Sequence, residues 1–322
     1  MEVKKIYLLF LFFLLTNSCS SGSEKEVLSI SDNNTEIHQT NNQQPTLSSN
    51  STGVFRFTSE GHFSNRTINV YYHIPDGDIK SMPVLMSFHG ASRNAVDYRD
   101  YWISMANSSK FMVFAPEFQS ADFSSDEYNL GNIFDDGDNP SVGTFNPSNE
   151  WTFSILDPLF EYIKNEISGN QENYNGWGHS AGCQFLHRFV LYMPESKLNI
   201  AVCSNAGWYT VPESGINFPY GLNQSQLSSN TLTLAFSKIL YVHLAENDTD
   251  PNAASLRHNE IVDEQQGLHR RARGRYFYST SEQTAQQEQI LFNWIKTSEV
   301  PNVAHNSNLM AQDAIKYLFP EE

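Results

Sequence analysis

Ser180 lies in Gly178-His179-Ser180-Ala181-Gly182, a serine with glycine two residues away on each side. A serine hydroxyl becomes a nucleophile where a base can take its proton and a sharp strand-to-helix turn lifts it clear of the main chain. Such a turn brings neighbouring backbone so close that flanking side chains would collide, hence the glycines. The apolar run Tyr174 to Trp177 supplies a strand before it, and the helical spacing of Ala181 to Tyr192 supplies the helix after it. A fortuitous Gly-Ser turn is the alternative, and those flanking elements disfavour it.

A serine of this kind needs a histidine base and a carboxylate to hold the base. His305, in Val300-Pro301-Asn302-Val303-Ala304-His305, stands in a loop ahead of the last helix and is the expected base. His258 and His269 lie in polar stretches beside arginines, where a histidine is ordinarily a solvated surface residue; His243 sits inside a strand and is expected to be structural. Asp248 follows the strand Ile239 to Leu244 and is the expected acid, with Asp250 as its rival; otherwise both carboxylates only cap the turn. The order Ser, Asp, His along the chain is the one used by α/β-hydrolase folds. Upstream, Phe88-His89-Gly90-Ala91 ends a buried strand. The Ala91 and Ala181 N–H groups are the expected oxyanion donors, worth about 3–4 kcal/mol each. His89 is expected to brace its turn.

The elements that must position these residues alternate. Paired strands are expected at Val54 to Phe57 and Thr67 to Tyr72, then strands at Val84 to Phe88, Phe111 to Ala115, Asn173 to Trp177, Ile200 to Cys203, Ile239 to Leu244 and Lys296 to Val300. Helices are expected at Trp151 to Ile167, Ala181 to Tyr192, Gln283 to Ile295 and Leu309 to Phe319. Alternation of this sort gives an α/β fold with a mostly parallel central sheet and helices on both faces. Two stretches interrupt it: a polar loop from Gln119 to Asn149, and an insertion from Gly207 to Ser237 expected to form a small cap.

The stretches Phe88-His89-Gly90, Gly178 to Gly182, Asn205-Ala206-Gly207-Trp208-Tyr209 and Glu246-Asn247-Asp248-Thr249-Asp250-Pro251 resemble bacterial α/β-hydrolases. Val300 to His305 is similar as well. The resemblance is to the poly(3-hydroxybutyrate) depolymerase and feruloyl-esterase group and runs from about residue 65 to the end. It implies the α/β-hydrolase fold, an esterase activity and no cofactor. The chain departs from the depolymerases in carrying Ala91 where they often have a cysteine after His-Gly, and it shows no separate polymer-binding domain.

With 322 residues the chain has room for one large domain, expected over residues 53–322. The net charge of −16 argues against a nucleic-acid surface, since phosphate binding needs clustered cations. Lys4 and Lys5 followed by the apolar run Ile6 to Leu15 read as a signal peptide, residues 1–18, too short to span a bilayer. Leu15-Thr16-Asn17-Ser18-Cys19 resembles a lipobox, so Cys19 is expected to be lipidated and to anchor an exported protein to a membrane; plain secretion is the alternative. Residues 19–52, rich in Ser, Asn, Gln and Thr, read as a disordered tether. Cys183 and Cys203 sit in apolar surroundings. Two thiols in an exported protein could pair, and buried free thiols are the reading taken.

The remaining features have bland readings beside sharp ones. Trp208, Tyr209, Phe218 and Tyr220 are candidates for an aromatic wall of the acyl pocket, with Trp208 and Tyr209 as substrate contacts; core packing is the alternative. Asp135-Asp136-Gly137-Asp138-Asn139 lacks the spacing and terminal glutamate of a calcium loop and reads as solvated. Arg270, Arg271, Arg273 and Arg275 read as a helix paired with nearby acids, an anionic-substrate role being the alternative. No metal motif is present. The expected function is ester hydrolysis of a small or polymer-linked substrate through Ser180, His305 and Asp248. The rivals are amide cleavage on the same fold and an inactive surface-binding lipoprotein.

Overall fold

The computed structural model describes residues 46–320. The signal segment, Cys19 and the tether up to residue 45 lie outside the described residues. Ordered structure begins ahead of residue 53: Leu47 is buried in the core and the first strand starts at Ser51.

Eight strands build one sheet: β1 (Ser51–Thr58), β2 (Thr67–Ile74), β3 (Val84–Phe88), β4 (Met112–Glu117), β5 (Tyr174–His179), β6 (Leu198–Ser204), β7 (Ile239–His243) and β8 (Trp294–Lys296). Their spatial order is β1-β2-β4-β3-β5-β6-β7-β8. β2 runs antiparallel to both of its neighbours, and every pair from β4 to β8 is parallel. Nine α-helices connect them among the described residues: α1 (Ala95–Asp100), α2 (Ile103–Ser109), α3 (Ser125–Asn129), α4 (Leu156–Glu166), α5 (Ala181–Tyr192), α6 (Ser229–Ser237), α7 (Glu260–Gln266), α8 (Arg270–Glu288) and α9 (Ser307–Leu318).

Strand residues alternate between two apolar layers, as a period of two requires. Leu85, Val113, Trp177 and Val202 face one layer, closed by Tyr98 of α1, Ala106 of α2, and Met310, Ala314 and Leu318 of α9. Val84, Met86, Phe114 and Cys203 face the other, closed by Phe160 of α4, Phe185 and Phe189 of α5, and Phe277 of α8. The sheet is therefore covered on both faces. No helix among the described residues is long and apolar enough to cross a membrane.

Several boundaries differ from the pattern in the sequence. The helix expected at Gln283 to Ile295 is α8, which begins at Arg270 and ends at Glu288, where Gln289 takes a left-handed φ of 55°. Its polar composition hides a buried face made of Gly274, Phe277, Ser281 and Ala285. Gly274 lets the helix press close to the end of β7, since a Cβ there would meet Leu244 Cδ2 at 2.3 Å. The chain then enters β8 at Trp294, earlier than the expected Lys296. The long polar loop contains α3, started by a capping box between Ser124 and Glu127. The stretch before Leu156 is 3-10 turns rather than α-helix.

The reading of Cys183 and Cys203 as free thiols is corrected: they form a disulfide, with Cα atoms 4.7 Å apart. That separation lies within the usual bridging range. Cys203 pairs in register with Gly178 across β5 and β6, and Cys183 lies in the first turn of α5 directly after the Ser180 turn. Parallel pairing of β5 with β6, with α5 following directly on β5, brings two residues separated by 20 in sequence to this distance.

Candidate active site

Ser180 sits between β5 and α5 with φ 59° and ψ −117°, a conformation that strains any residue with a Cβ. Its N–H donates to Ser204 O at 3.0 Å, and its carbonyl accepts from Gln184 N at 3.1 Å, so strand β6 and helix α5 both hold the turn. The flanking glycines are required by contact. A Cβ on Gly178 would lie 2.3 Å from Gly182 O, and one on Gly182 would lie 2.1 Å from Phe88 O. The loop after β3 therefore presses against the start of α5. Gly90 belongs to that loop: a Cβ there would meet Tyr98 Oη at 2.9 Å and Ser180 Cβ at 3.8 Å. Ala91 is exposed just beyond Gly90, and Ala181 is the first residue of α5.

His89 is wholly buried. Its Nε2 accepts the Phe118 N–H at 3.0 Å, which leaves Nδ1–H to donate to Gly90 O at 3.0 Å. Burial lowers its pKa to about 3, so the ring is a neutral brace for the turn.

His305 Nδ1 donates to Asp248 Oδ2 at 2.6 Å. The loops carrying these two residues are laced together by main chain. Glu246 N donates to Val300 O at 3.0 Å and Asn247 N to Val303 O at 2.7 Å. Asn302 N donates to Glu246 Oε2 at 2.9 Å. The Asp248 side chain is 3% exposed and that of His305 28%, so a sheltered carboxylate orients an imidazole that reaches solvent. Asp250 is exposed and accepts Asn252 N at 2.8 Å, which makes it a turn cap. His258 pairs with Asp263, His269 caps α8, and buried His243 contacts Ser204 and Asp313.

Two contacts around the pair were not legible in the sequence. The His305 ring packs on His179 with centroids 4.4 Å apart. His179 is buried, its Nδ1 lies 3.4 Å from Tyr98 Oη, and its pKa is driven well below 6.5, first by burial and then by His305. An uncharged ring thus backs His305. On the other side, Arg270 Nη1 lies 3.6 Å from Asp248 Oδ1. The remaining arginines of the cluster also face acids, Arg271 and Arg275 with Glu299 and Arg273 with Asp263.

Tyr209 takes the packing alternative: its ring is fully buried and stacks on Phe277 at 4.4 Å. Gln266 bridges to both its N–H and its carbonyl at 2.9 Å. Trp208 is 3% exposed and carries two guanidinium groups, Arg188 at 4.1 Å and Arg257 at 4.7 Å from its ring. In the acidic loop, Asp136 accepts from Ser141 and Thr144, and Asp138 pairs with Arg257, so these two carboxylates are used by the protein itself.

No family model and no curated protein matches the chain. Among solved structures it is similar to poly(aspartic acid) hydrolase-1 from Sphingomonas sp. KT-1, with 36% identity and a TM-score of 0.77 over 83% of this chain and 98% of that one. The chain belongs to the α/β-hydrolases. The poly(3-hydroxybutyrate) depolymerase from Bordetella parapertussis is 26% identical with a TM-score of 0.76, over 83% of this hydrolase and 89% of that chain. An S-formylglutathione hydrolase from Agrobacterium tumefaciens, 14% identical with a TM-score of 0.52 over 83% and 93% of the chains, shares the fold.

Proposed function

We propose that this α/β-hydrolase is an exported serine hydrolase that cleaves carboxylic esters through Ser180, His305 and Asp248. The observation that carries the proposal is the 2.6 Å contact from His305 Nδ1 to Asp248 Oδ2, made by two loops at the same end of the sheet as the strained Ser180 turn. That contact fixes the tautomer in which His305 Nε2 is the free base. In the first step Nε2 takes the Ser180 proton as Oγ bonds to the ester carbonyl carbon. The carbonyl oxygen becomes an oxyanion held by the Ala91 and Ala181 N–H groups. Collapse breaks the carbon–oxygen bond, and His305 returns the proton to the leaving alcohol. Water, deprotonated by the same imidazole, then releases the acid from Ser180.

A second reading changes the bond. The similarity at 36% identity is to a protein named for hydrolysing poly(aspartic acid), a polyamide, and the one at 26% to a protein named for a polyester. The same machinery would then attack an amide and protonate an amine. Export is supported by the Cys183–Cys203 disulfide, a bond that persists in oxidising compartments. Lipidation of Cys19 would add the membrane anchor, and Cys19→Ala would release the protein from the membrane fraction.

The deciding experiment measures p-nitrophenyl esters from acetate to octanoate and poly(aspartic acid) with the wild type and Ser180→Ala. Ester turnover lost in the variant by at least about 10³-fold supports the proposal. Turnover of poly(aspartic acid) alone moves the assignment to the amide. Equal rates in both proteins would remove Ser180 from the chemistry.

A further inference from the structure

We infer that Arg270 is a positioning residue for the acid–base pair: its buried guanidinium faces the Asp248 carboxylate and holds it aimed at His305. The inference rests on the assignment of Asp248 and His305 proposed above. The Asp248 side chain is 3% exposed, and a carboxylate withdrawn from water needs a polar partner for its oxygens. Its oxygens are divided between two partners. Oδ2 takes the His305 Nδ1–H at 2.6 Å, and Oδ1 faces Arg270 Nη1 at 3.6 Å. Among the described residues no backbone N–H donates to this carboxylate. Among the described residues Arg270 is the one lysine or arginine in contact with the buried Asp248 carboxylate.

The location of Arg270 is also fixed by the acid. It is the first residue of α8, and the N–H of Arg271 donates to the Asp248 carbonyl at 3.2 Å, so the helix start is tied to the acid's own backbone. The Arg270 side chain is 3% exposed, with Nη2 reaching Ala254 O at 3.4 Å and Nε lacking any partner. The guanidinium gives one branch to the Ala254 carbonyl and turns the other to the acid.

The remaining charged or titratable groups around the pair do not replace it. His179 is held neutral against the His305 ring by burial. His269, at the start of α8, is shifted below its ordinary value, first by burial and then by Arg271. Asp250 adds negative charge near Arg270, and Tyr209 is a buried neutral phenol. Arg271 and Arg275 are engaged by Glu299, and Arg273 by Asp263. His243 is buried with Asp313.

Removing the positive charge beside the Asp248–His305 contact favours a proton on that pair, and a protonated His305 cannot act as a base. The test is the pH–rate profile of kcat/KM for a p-nitrophenyl ester with wild type, Arg270→Gln and Arg270→Lys. Rates are normalised to the Ser180 sites titrated by a fluorophosphonate, so that any misfolded fraction drops out. The acid limb of Arg270→Gln is expected to move up by about one pH unit, with kcat lowered and KM nearly unchanged. Arg270→Lys restores the charge and is expected to return most of the limb, and Arg270→Met, which keeps the apolar stem and removes the charge, repeats the glutamine test should that variant fail to fold. An acid limb unmoved in Arg270→Gln, or moved equally in Arg270→Gln and Arg270→Lys, overturns the inference. Ser180→Ala separates the two levels: activity that survives it removes the triad assignment itself, whereas activity lost there with an unmoved limb removes only Arg270.

Discussion

The Ser180 turn and the acid–base loops lie at the same end of the sheet and are held in different ways. The turn is one unbroken stretch, Gly178 to Gly182, whose shape follows from backbone contacts: Gly182 against Phe88 O and Ser180 N against Ser204 O. The Asp248–His305 contact joins residues 57 apart in sequence, across two loops that share main-chain hydrogen bonds and beside a buried arginine from a third segment. Substitutions of the turn's glycines should therefore act on folding, and substitutions in the loops on chemistry.

The largest expected effect tests the loop side. Asp248→Asn should lower kcat by about 10⁴-fold, the loss found when a triad acid can no longer fix the imidazole tautomer. Asp250→Asn, which only caps a turn, should stay within about twofold, since surface changes away from special features are usually small. Ester kinetics on both variants would reverse the assignment if Asp250 proved the sensitive one.

On the turn side, Gly182→Ala must displace Phe88 O from 2.1 Å, and a loss of about 3 kcal/mol in urea unfolding is expected. Gly215, whose added Cβ meets nothing within 4 Å, is the control, with Gly215→Ala expected within about 0.5 kcal/mol. Similar losses at both positions would mean that the tight contact is not what the turn requires.

The disulfide ties the helix after the turn to β6. Replacing both Cys183 and Cys203 by alanine should cost about 3 kcal/mol, the value for closing a loop of this length. A melting temperature unchanged by the double replacement, or by reductant, would show that the turn does not depend on the cross-link.

The smallest effect is a slope. Burial lowers the pKa of His89 from 6.5 to about 3, while the unfolded chain keeps the ordinary value. The unfolded state therefore binds a proton that the folded state refuses. Stability from this group is whole above pH 6.5 and is lost as pH falls toward 3, at about 1.4 kcal/mol per pH unit. His179 and His187 shift in the same direction by burial. Unfolding measured from pH 7.5 to 4.5 should show the decline, and His89→Gln should flatten it; identical slopes would count against a neutral brace.

Much of the frame was readable because its signals are local. The apolar run Val84 to Phe88 became β3, and Ala181 to Tyr192 is α5 to the residue. α8 was misplaced because it buries Gly274 and Ser281 alongside Phe277 and Ala285, a face too weakly apolar to show a period. Tyr209 proved to be core because its partners, Phe277 and Gln266, come from distant helices. The basic cluster reads in sequence as a generic ion-paired helix. That one of its arginines faces Asp248 depends on where α8 begins relative to β7, which no local pattern encodes.

The sequence by itself determined the alternation of strands and helices, the glycine-flanked Ser180 turn, and the order in which serine, acid and histidine follow, because each rests on spacing within a few residues or along the chain. Tertiary structure alone decided that Cys183 and Cys203 pair, that Asp248 rather than Asp250 meets His305, and that Arg270 and His179 enclose that pair. Those outcomes turn on strand register and loop-to-loop hydrogen bonds, where an ångström or two between distant segments separates a contact from an exposed residue.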